Sequence, residues 1–269
     1  MKGIEGKKFY ISVDLEGVAC VVGFPGQGLG TERQLTFAAQ QGVREANAVA
    51  AALFDCGASE VWIWDCHGSG VNLDYTQLDK RCRIVLGSGC GTRFPLIDET
   101  FGGIIMIGYH AYDSIKSTLS HVYSSTIFQY MKINGKNVGE IDIDSAFAGK
   151  HGVPLMLVVG DDALSAQAKV NFPDAVSVET KKSLGWNTAI SKHPIALTEE
   201  IYDATITACE NIAAMKYFTI PEPFILEIRY KRIENAQNCG YHDINGKSFE
   251  IVDEYTRKGT LETIERMFW

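Results

Sequence analysis

Apolar positions first gather between Phe9 and Asp14, a run that closes on a carboxylate and predicts a buried strand. Gly17, Gly23, Gly26, Gly28 and Gly30 follow too densely for regular structure and predict a mobile loop. Thr31 with Gln34 makes a capping box, and the alanine-rich stretch to Cys56 stops at Gly57, so a helix of several turns spans it. Val61 to Trp64 is the next strand, ending in Asp65, Cys66 and His67. Strand, helix, strand in this order predicts βαβ units whose parallel strands present their carboxyl ends along one edge. Arg83 to Leu86, Gly103 to Ile107 and Pro154 to Val159 extend the strand set, and Asn134-Gly135 predicts a tight hairpin between Val122–Ile133 and Lys136–Gly139. Helices are predicted from Asp142 to His151, Asp162 to Asn171, Thr198 to Met215 and Thr260 to the end, with late strands at Phe224–Tyr230 and Ser248–Val252. The fold class is α/β, three layers around a central mixed, largely parallel sheet. The chain reads as one α/β domain over residues 1–269 with a chemistry-bearing part over 1–162. Pro221-Glu222-Pro223 could edge a smaller C-terminal subdomain over about 172–269.

Length and composition narrow the function classes. A chain of 269 residues holds one large domain or two unequal ones, and 46% hydrophobic residues suits a folded protein. The longest apolar runs are strand-length, far below the roughly 20 residues of a membrane helix, so no membrane partner is expected. Met1 to Lys8 is polar and carries no signal pattern, which gives a cytoplasmic expectation. The formal charge is -8 and basic residues form no stripe, so nucleic acid is not an expected partner. Seven cysteines without a CxxC pair fit reduced thiols that fill the core.

His67 and His110 each follow a strand directly, a placement that a capped or surface histidine explains when taken singly. Asp14 and Glu16, one residue apart in extended chain, share a face at roughly 7 Å, as a salt-bridged pair also would. Glu140 follows a glycine at a helix start, where a capping carboxylate is ordinary. Jointly these five imidazoles and carboxylates suit zinc and neither calcium nor a thiolate site. Five ligands exceed one catalytic zinc, whereas a bridging carboxylate gives each of two ions three ligands, with ions about 3.5–4 Å apart. Gly87-Ser88-Gly89-Cys90-Gly91 does not fit GxGxxG, and neither GxSxG nor HExxH occurs. Ser120 and His121, if on a strand, point to opposite faces, which disfavours a serine nucleophile activated by its neighbour.

Ser12-Val13-Asp14-Leu15-Glu16-Gly17, the Asp-Cys-His ending at His67, Gly108-Tyr109-His110-Ala111, Ser120-His121 and Val138-Gly139-Glu140 occur in one order. Together they resemble the zinc D-aminopeptidase family first described from a dipeptide transport operon, densely from Phe9 to Asp162. The resemblance implies two zinc ions per chain held by Asp14, Glu16, His67, His110 and Glu140, with Asp14 bridging and His121 catalytic as base or nucleophile. It also implies a small peptide substrate, D-amino-acid-containing, and a ring-based homodecamer of two stacked pentamers. Cys66 stands where the family more usually has serine, and the loop after Gly17 is not family-typical. Asp142 or Asp144 is the expected anchor for the substrate's amine. A binuclear phosphoesterase, with added basic residues for phosphate, and a non-catalytic peptide-binding component of a transport system fit the same ligands.

Overall fold

Side chains along β1 (Lys8–Val13) alternate between two apolar clusters, Phe9, Ile11 and Val13 to one side and Tyr10 to the other, as a strand covered on both faces must. The computed structural model describes residues 3–25 and 28–268; Met1, Gly26 and Trp269 lie outside the described residues. Elements continue as α1 (Glu32–Asp55), β2 (Glu60–Asp65), β3 (Arg83–Val85), β4 (Phe101–Tyr109), β5 (Phe128–Ile133), β6 (Lys136–Val138) and α2 (Glu140–Gly149). Then come β7 (Leu155–Asp161), α3 (Asp162–Asn171), β8 (Val176–Gly185), β9 (Thr188–Ser191), α4 (Pro194–Asn211), β10 (Phe224–Tyr230), α5 (Ile233–Gln237), β11 (Glu250–Ile251) and β12 (Thr256–Leu261).

The main sheet runs β3-β2-β1-β4-β7-β8-β9, parallel except for the antiparallel β9 edge. Helices α1 and α4 pack on one face and α2 and α3 on the other, which makes the three layers expected from the sequence. An antiparallel sheet, β11-β12-β10-β5-β6, covers the far side of α2 through Ile143, Ala146 and Phe147. Every residue of α2 is therefore buried, and its acidic residues must each find an internal partner.

Several boundaries differ from expectation for identifiable reasons. α2 begins at Glu140, two residues before Asp142, because the Asp142 carboxylate accepts from Gly139 N at 2.8 Å and closes the first turn. The expected helix from Thr260 is instead β12 followed by one 3₁₀ turn, Ile264–Met267, which buries Ile264 and Met267 with a single turn. Val122 to Ile127 is a loop, so Ser120 and His121 are not strand neighbours. β8 and β9 were not expected; the inward positions of β8 include Thr180, Lys181 and Ser183, which hide the apolar alternation of a strand. The second sheet draws β5 and β6 from before residue 172 and β10 to β12 from after it, while β8, β9 and α4 complete the first.

Candidate metal centre and its cavity

The order β2-β1-β4 sets three parallel strand ends side by side, and the residues just beyond them carry the chemistry. Asp14 and Glu16 follow β1, His67 follows β2 and His110 follows β4. The ends are stitched together by main chain, with Asp14 N donating to Ile107 O (2.8 Å), Cys66 N to Val13 O (3.1 Å) and Gly17 N to Gly108 O (2.6 Å). Gly108 has φ +71°, and a Cβ there would lie 2.0 Å from Asp14 O; one on Gly17 would lie 1.8 Å from Tyr109 O. No side chain fits at either crossing. Glu140 enters as the first residue of α2 and His121 from the loop after β4.

Asp14 turns its two oxygens to two different histidines. Oδ1 lies 2.9 Å from His67 Nδ1 and Oδ2 lies 3.5 Å from His110 Nε2. Glu16 Oε2 is 3.1 Å from the same His67 nitrogen, which has one proton to give; aligned with Asp14, it leaves Glu16 Oε2 buried without a hydrogen bond. Glu140 Oε1 accepts from Tyr123 N at 2.7 Å and faces His110 Nε2 at 3.3 Å and His121 Nε2 at 4.0 Å. The rings of His110 and His121 stack at 4.0 Å between centroids, 15° from parallel. Their Nδ1 atoms face backbone carbonyls, of Ala111 at 3.1 Å and Leu119 at 2.7 Å. A carbonyl only accepts, so both rings carry a proton on Nδ1 and turn Nε2 inward, the orientation in which metal-binding histidines are held.

Charge explains what such a cluster attracts. Burial and the neighbouring Glu16 push Asp14 up to about 7. Burial works against charge on Glu140 as well, but is outweighed by His110 and His121, which hold it at about 2. His110 rises to about 10, burial being overcome by Glu140, Asp14 and Glu16. His121 is lowered, by burial and then by His110, so it stays neutral. Three buried carboxylates thus draw positive charge, which the protein alone supplies as protons on its imidazoles. Ligand atoms of Asp14, Glu16 and His110, and again of His110, His121 and Glu140, lie within 4.8 Å of one another, a spacing that cations can replace protons in. Cys66 stays outside the donor set: burial pushes its thiol well up, and Ser12 Oγ donates to its sulfur at 3.1 Å.

The cluster floors a cavity of about 360 Å³, walled by Leu29, Leu119 and Trp186 on apolar atoms and by Arg93, Tyr123, Ser124 and Ser125 on polar ones. Asp142 and Asp144 do not line it, which corrects their expected role as amine anchors. Asp142 accepts from Gly139 N, Gln167 Nε2 and Asn171 Nδ2. Asp144 accepts Arg93 Nε and Nη2 at 2.7 Å each, together with the hydroxyls of Tyr109 and Tyr123. Helical spacing from Glu140 turns both toward the interior, where these partners fill their acceptor sites.

A family profile described as D-aminopeptidase matches residues 7–268. The chain belongs to the D-aminopeptidase family. Among curated relatives, it is similar to a D-aminopeptidase of Bacillus subtilis (strain 168), 27% identical over 237 residues, covering 86% of this chain and 84% of the relative. Among solved structures, it superposes on a zinc-dependent D-aminopeptidase from Bacillus subtilis described as a self-compartmentalizing protease. That match has a TM-score of 0.86 at 24% identity and covers 97% of this chain and 94% of the other. Within this D-aminopeptidase fold, three side chains that sequence reasoning missed organise the site. Arg93 is, among the described residues, the one arginine or lysine lining the cavity. Lys181, fully buried on β8, donates to the carbonyls of Glu16 (2.5 Å), Val21 (2.6 Å) and Val18 (3.1 Å) and so shapes the turn that carries Glu16. Burial lowers its pKa only to about 8, so it remains an ammonium at neutral pH. Trp186 anchors the loop that carries His121. Only the charged run Lys181-Lys182 hinted at any of them, and it reads as surface.

Proposed function

We propose that this D-aminopeptidase-family chain is a two-zinc hydrolase that removes the first residue from short peptides, D-residues included. The observation that carries the reading is the divided Asp14 carboxylate, with one oxygen toward His67 and Glu16 and the other toward His110 and Glu140. That division supports one ion held by Asp14, Glu16 and His67 and a second by Asp14, His110 and Glu140, three protein ligands each, with an open position for catalysis. A bound zinc pair supplies Lewis-acid polarisation of the scissile carbonyl and makes water acidic near neutral pH. The chain's own part falls to His121. Its Nδ1–H is fixed on Leu119 O and its neutral Nε2 faces the cavity, so it can take a proton or attack the carbonyl without first being deprotonated. The cavity volume lies at the low end for ligand sites and suits a short peptide.

A phosphoesterase reading is disfavoured by Arg93, whose Nε and Nη2 are both committed to Asp144. A binding protein without chemistry leaves the free nitrogen of His121 with no purpose. Metal analysis with turnover of D- and L-residue dipeptides, amino-acid p-nitroanilides and phosphate esters separates the three. About two zinc per chain, with peptide turnover abolished by chelation, is expected; a metal-free protein from zinc-replete expression, or phosphate-ester turnover alone, overturns the reading. The self-compartmentalizing relative supports assembly into a closed ring-based homo-oligomer, a decamer by the family resemblance, that admits only small substrates. Light scattering that finds a monomer at micromolar concentration refutes that part.

A further inference from the structure

Trp186 occupies the turn between β8 and β9 and holds two neighbouring loops at once. Leu119 N donates to its carbonyl at 2.7 Å, and its indole Nε1 donates to Ser120 O at 3.2 Å, so the residues preceding His121 are pinned to it on both sides. Its ring also reaches the glycine-rich loop, where a Cβ placed on Gly28 would lie 3.9 Å from its outer edge. The indole, Leu119 and Leu29 present the apolar side of a cavity whose remaining lining is carboxylate, imidazole, hydroxyl and guanidinium, with the Cys66 thiol and three glycines. An indole with its one polar atom already bonded offers only an apolar face to whatever enters.

We propose that Trp186, with Leu29 and Leu119, forms the pocket for the side chain of the substrate's first residue, and that this pocket selects an apolar side chain. The proposal rests on the aminopeptidase reading above. In such a reaction the scissile carbonyl belongs to the first residue, so that residue's side chain lies nearest the reacting groups. Leu119, whose carbonyl holds His121 through Nδ1, lines the same cavity as His121. The leaving half of a short peptide carries a carboxylate, which an apolar wall would desolvate without a partner, so the wall is left to the first side chain. A charged first side chain would lose hydration against the indole and gain no partner, whereas an apolar one buries area there.

The test compares wild type, Trp186→Ala, Trp186→Phe and Leu29→Ala on dipeptides of the form Xaa-Ala. Xaa is D- or L-Ala, Val, Leu, Phe, Asp or Lys, and kcat and KM are read separately. Wild type should favour apolar over charged first residues by 10-fold or more in kcat/KM. Trp186→Ala should cut the preference for Leu over Asp by about 10–100-fold, the range for losing one apolar subsite contact, with most of the change in KM. Trp186→Phe should keep much of that preference because it keeps a ring. The Leu29 side chain carries no hydrogen-bonding group, so Leu29→Ala should lower the preference in the same direction even if Trp186→Ala fails to fold. Preferences unchanged in both alanine variants, or a change that follows the second residue in an Ala-Xaa series, overturn the proposal while wild-type turnover stands. Wild type inactive on every peptide overturns the aminopeptidase reading and this proposal with it.

Discussion

His121→Asn is the sharpest probe of the chemistry because an asparagine amide nitrogen falls near the position of imidazole Nδ1. The variant can keep the bond that Nδ1 gives Leu119 O at 2.7 Å while deleting Nε2, the atom 4.0 Å from Glu140 Oε1. Truncation to alanine would instead orphan a buried carbonyl, at about 1–3 kcal/mol, and lose the stack on His110, worth about 0.5–1.5 kcal/mol more. Loss of fold would then be confused with loss of chemistry. With the bond to Leu119 kept, the expected stability cost is about 1 kcal/mol from the lost stack. The expected rate cost is about 10²–10⁴-fold in kcat, or about 3–5 kcal/mol of barrier, the range for a missing acid-base group. The assay pairs steady-state kinetics on a D-dipeptide with zinc content and a urea unfolding curve on the same preparation. Near-normal kcat at full zinc content removes His121 from the mechanism. A fall in zinc content that tracks the fall in kcat makes His121 a ligand, as its closeness to His110 and Glu140 allows.

Asp14→Ala should release both zinc ions and His67→Ala mainly one, because only Asp14 faces both histidines; equal partial losses by elemental analysis would contradict a shared ligand. Glu45 is raised from 4.5 to about 7 by burial, against hydrogen bonds from Ala19 N and Gln41. Its contribution to stability is therefore complete below pH 4.5 and lost as pH rises through about 7, on the order of 3 kcal/mol at ~1.4 kcal/mol per tenfold. Glu45→Gln should flatten the wild-type fall in urea midpoint between pH 5 and 8, and parallel curves would refute that assignment. Asp144→Ala leaves Arg93 buried without its partner and should cost about 3–5 kcal/mol, whereas a change below 1 kcal/mol would mean that Arg93 finds another anion.

Much of the main sheet and of the clustered side chains was legible because parallel strands end in a common edge, and short motifs at those ends carry Asp14, Glu16, His67 and His110. Glu140 was legible through Asn134-Gly135, whose positive φ values, 50° and 82°, make the tight turn that leads β6 into α2. What stayed hidden depends on long-range packing. Asp142 and Asp144 are spaced along α2 like cavity residues, yet α2 lies between two sheets and its other faces are interior too. Arg93 sits in an irregular segment, and its importance comes from Asp144 and Trp64, 51 residues later and on another strand. β8 turns Thr180 and Lys181 inward to bind the carbonyls of Gly17, Glu16, Val18 and Val21, so its pattern follows the needs of a distant turn and not of an apolar core.

The backbone crossings at Gly17 and Gly108 have a mechanical consequence. Where two chains touch main chain to main chain, no side chain can act as a shim, so the separation between the strand ends bearing Asp14 and His110 has almost no compliance. The wall formed by Leu29 and Trp186 hangs from loops that share neither crossing. Substrate preference can therefore drift by loop substitution without disturbing the gap across which the two histidine-carboxylate groups face each other, and that gap cannot be retuned by any single change of side chain at the crossings.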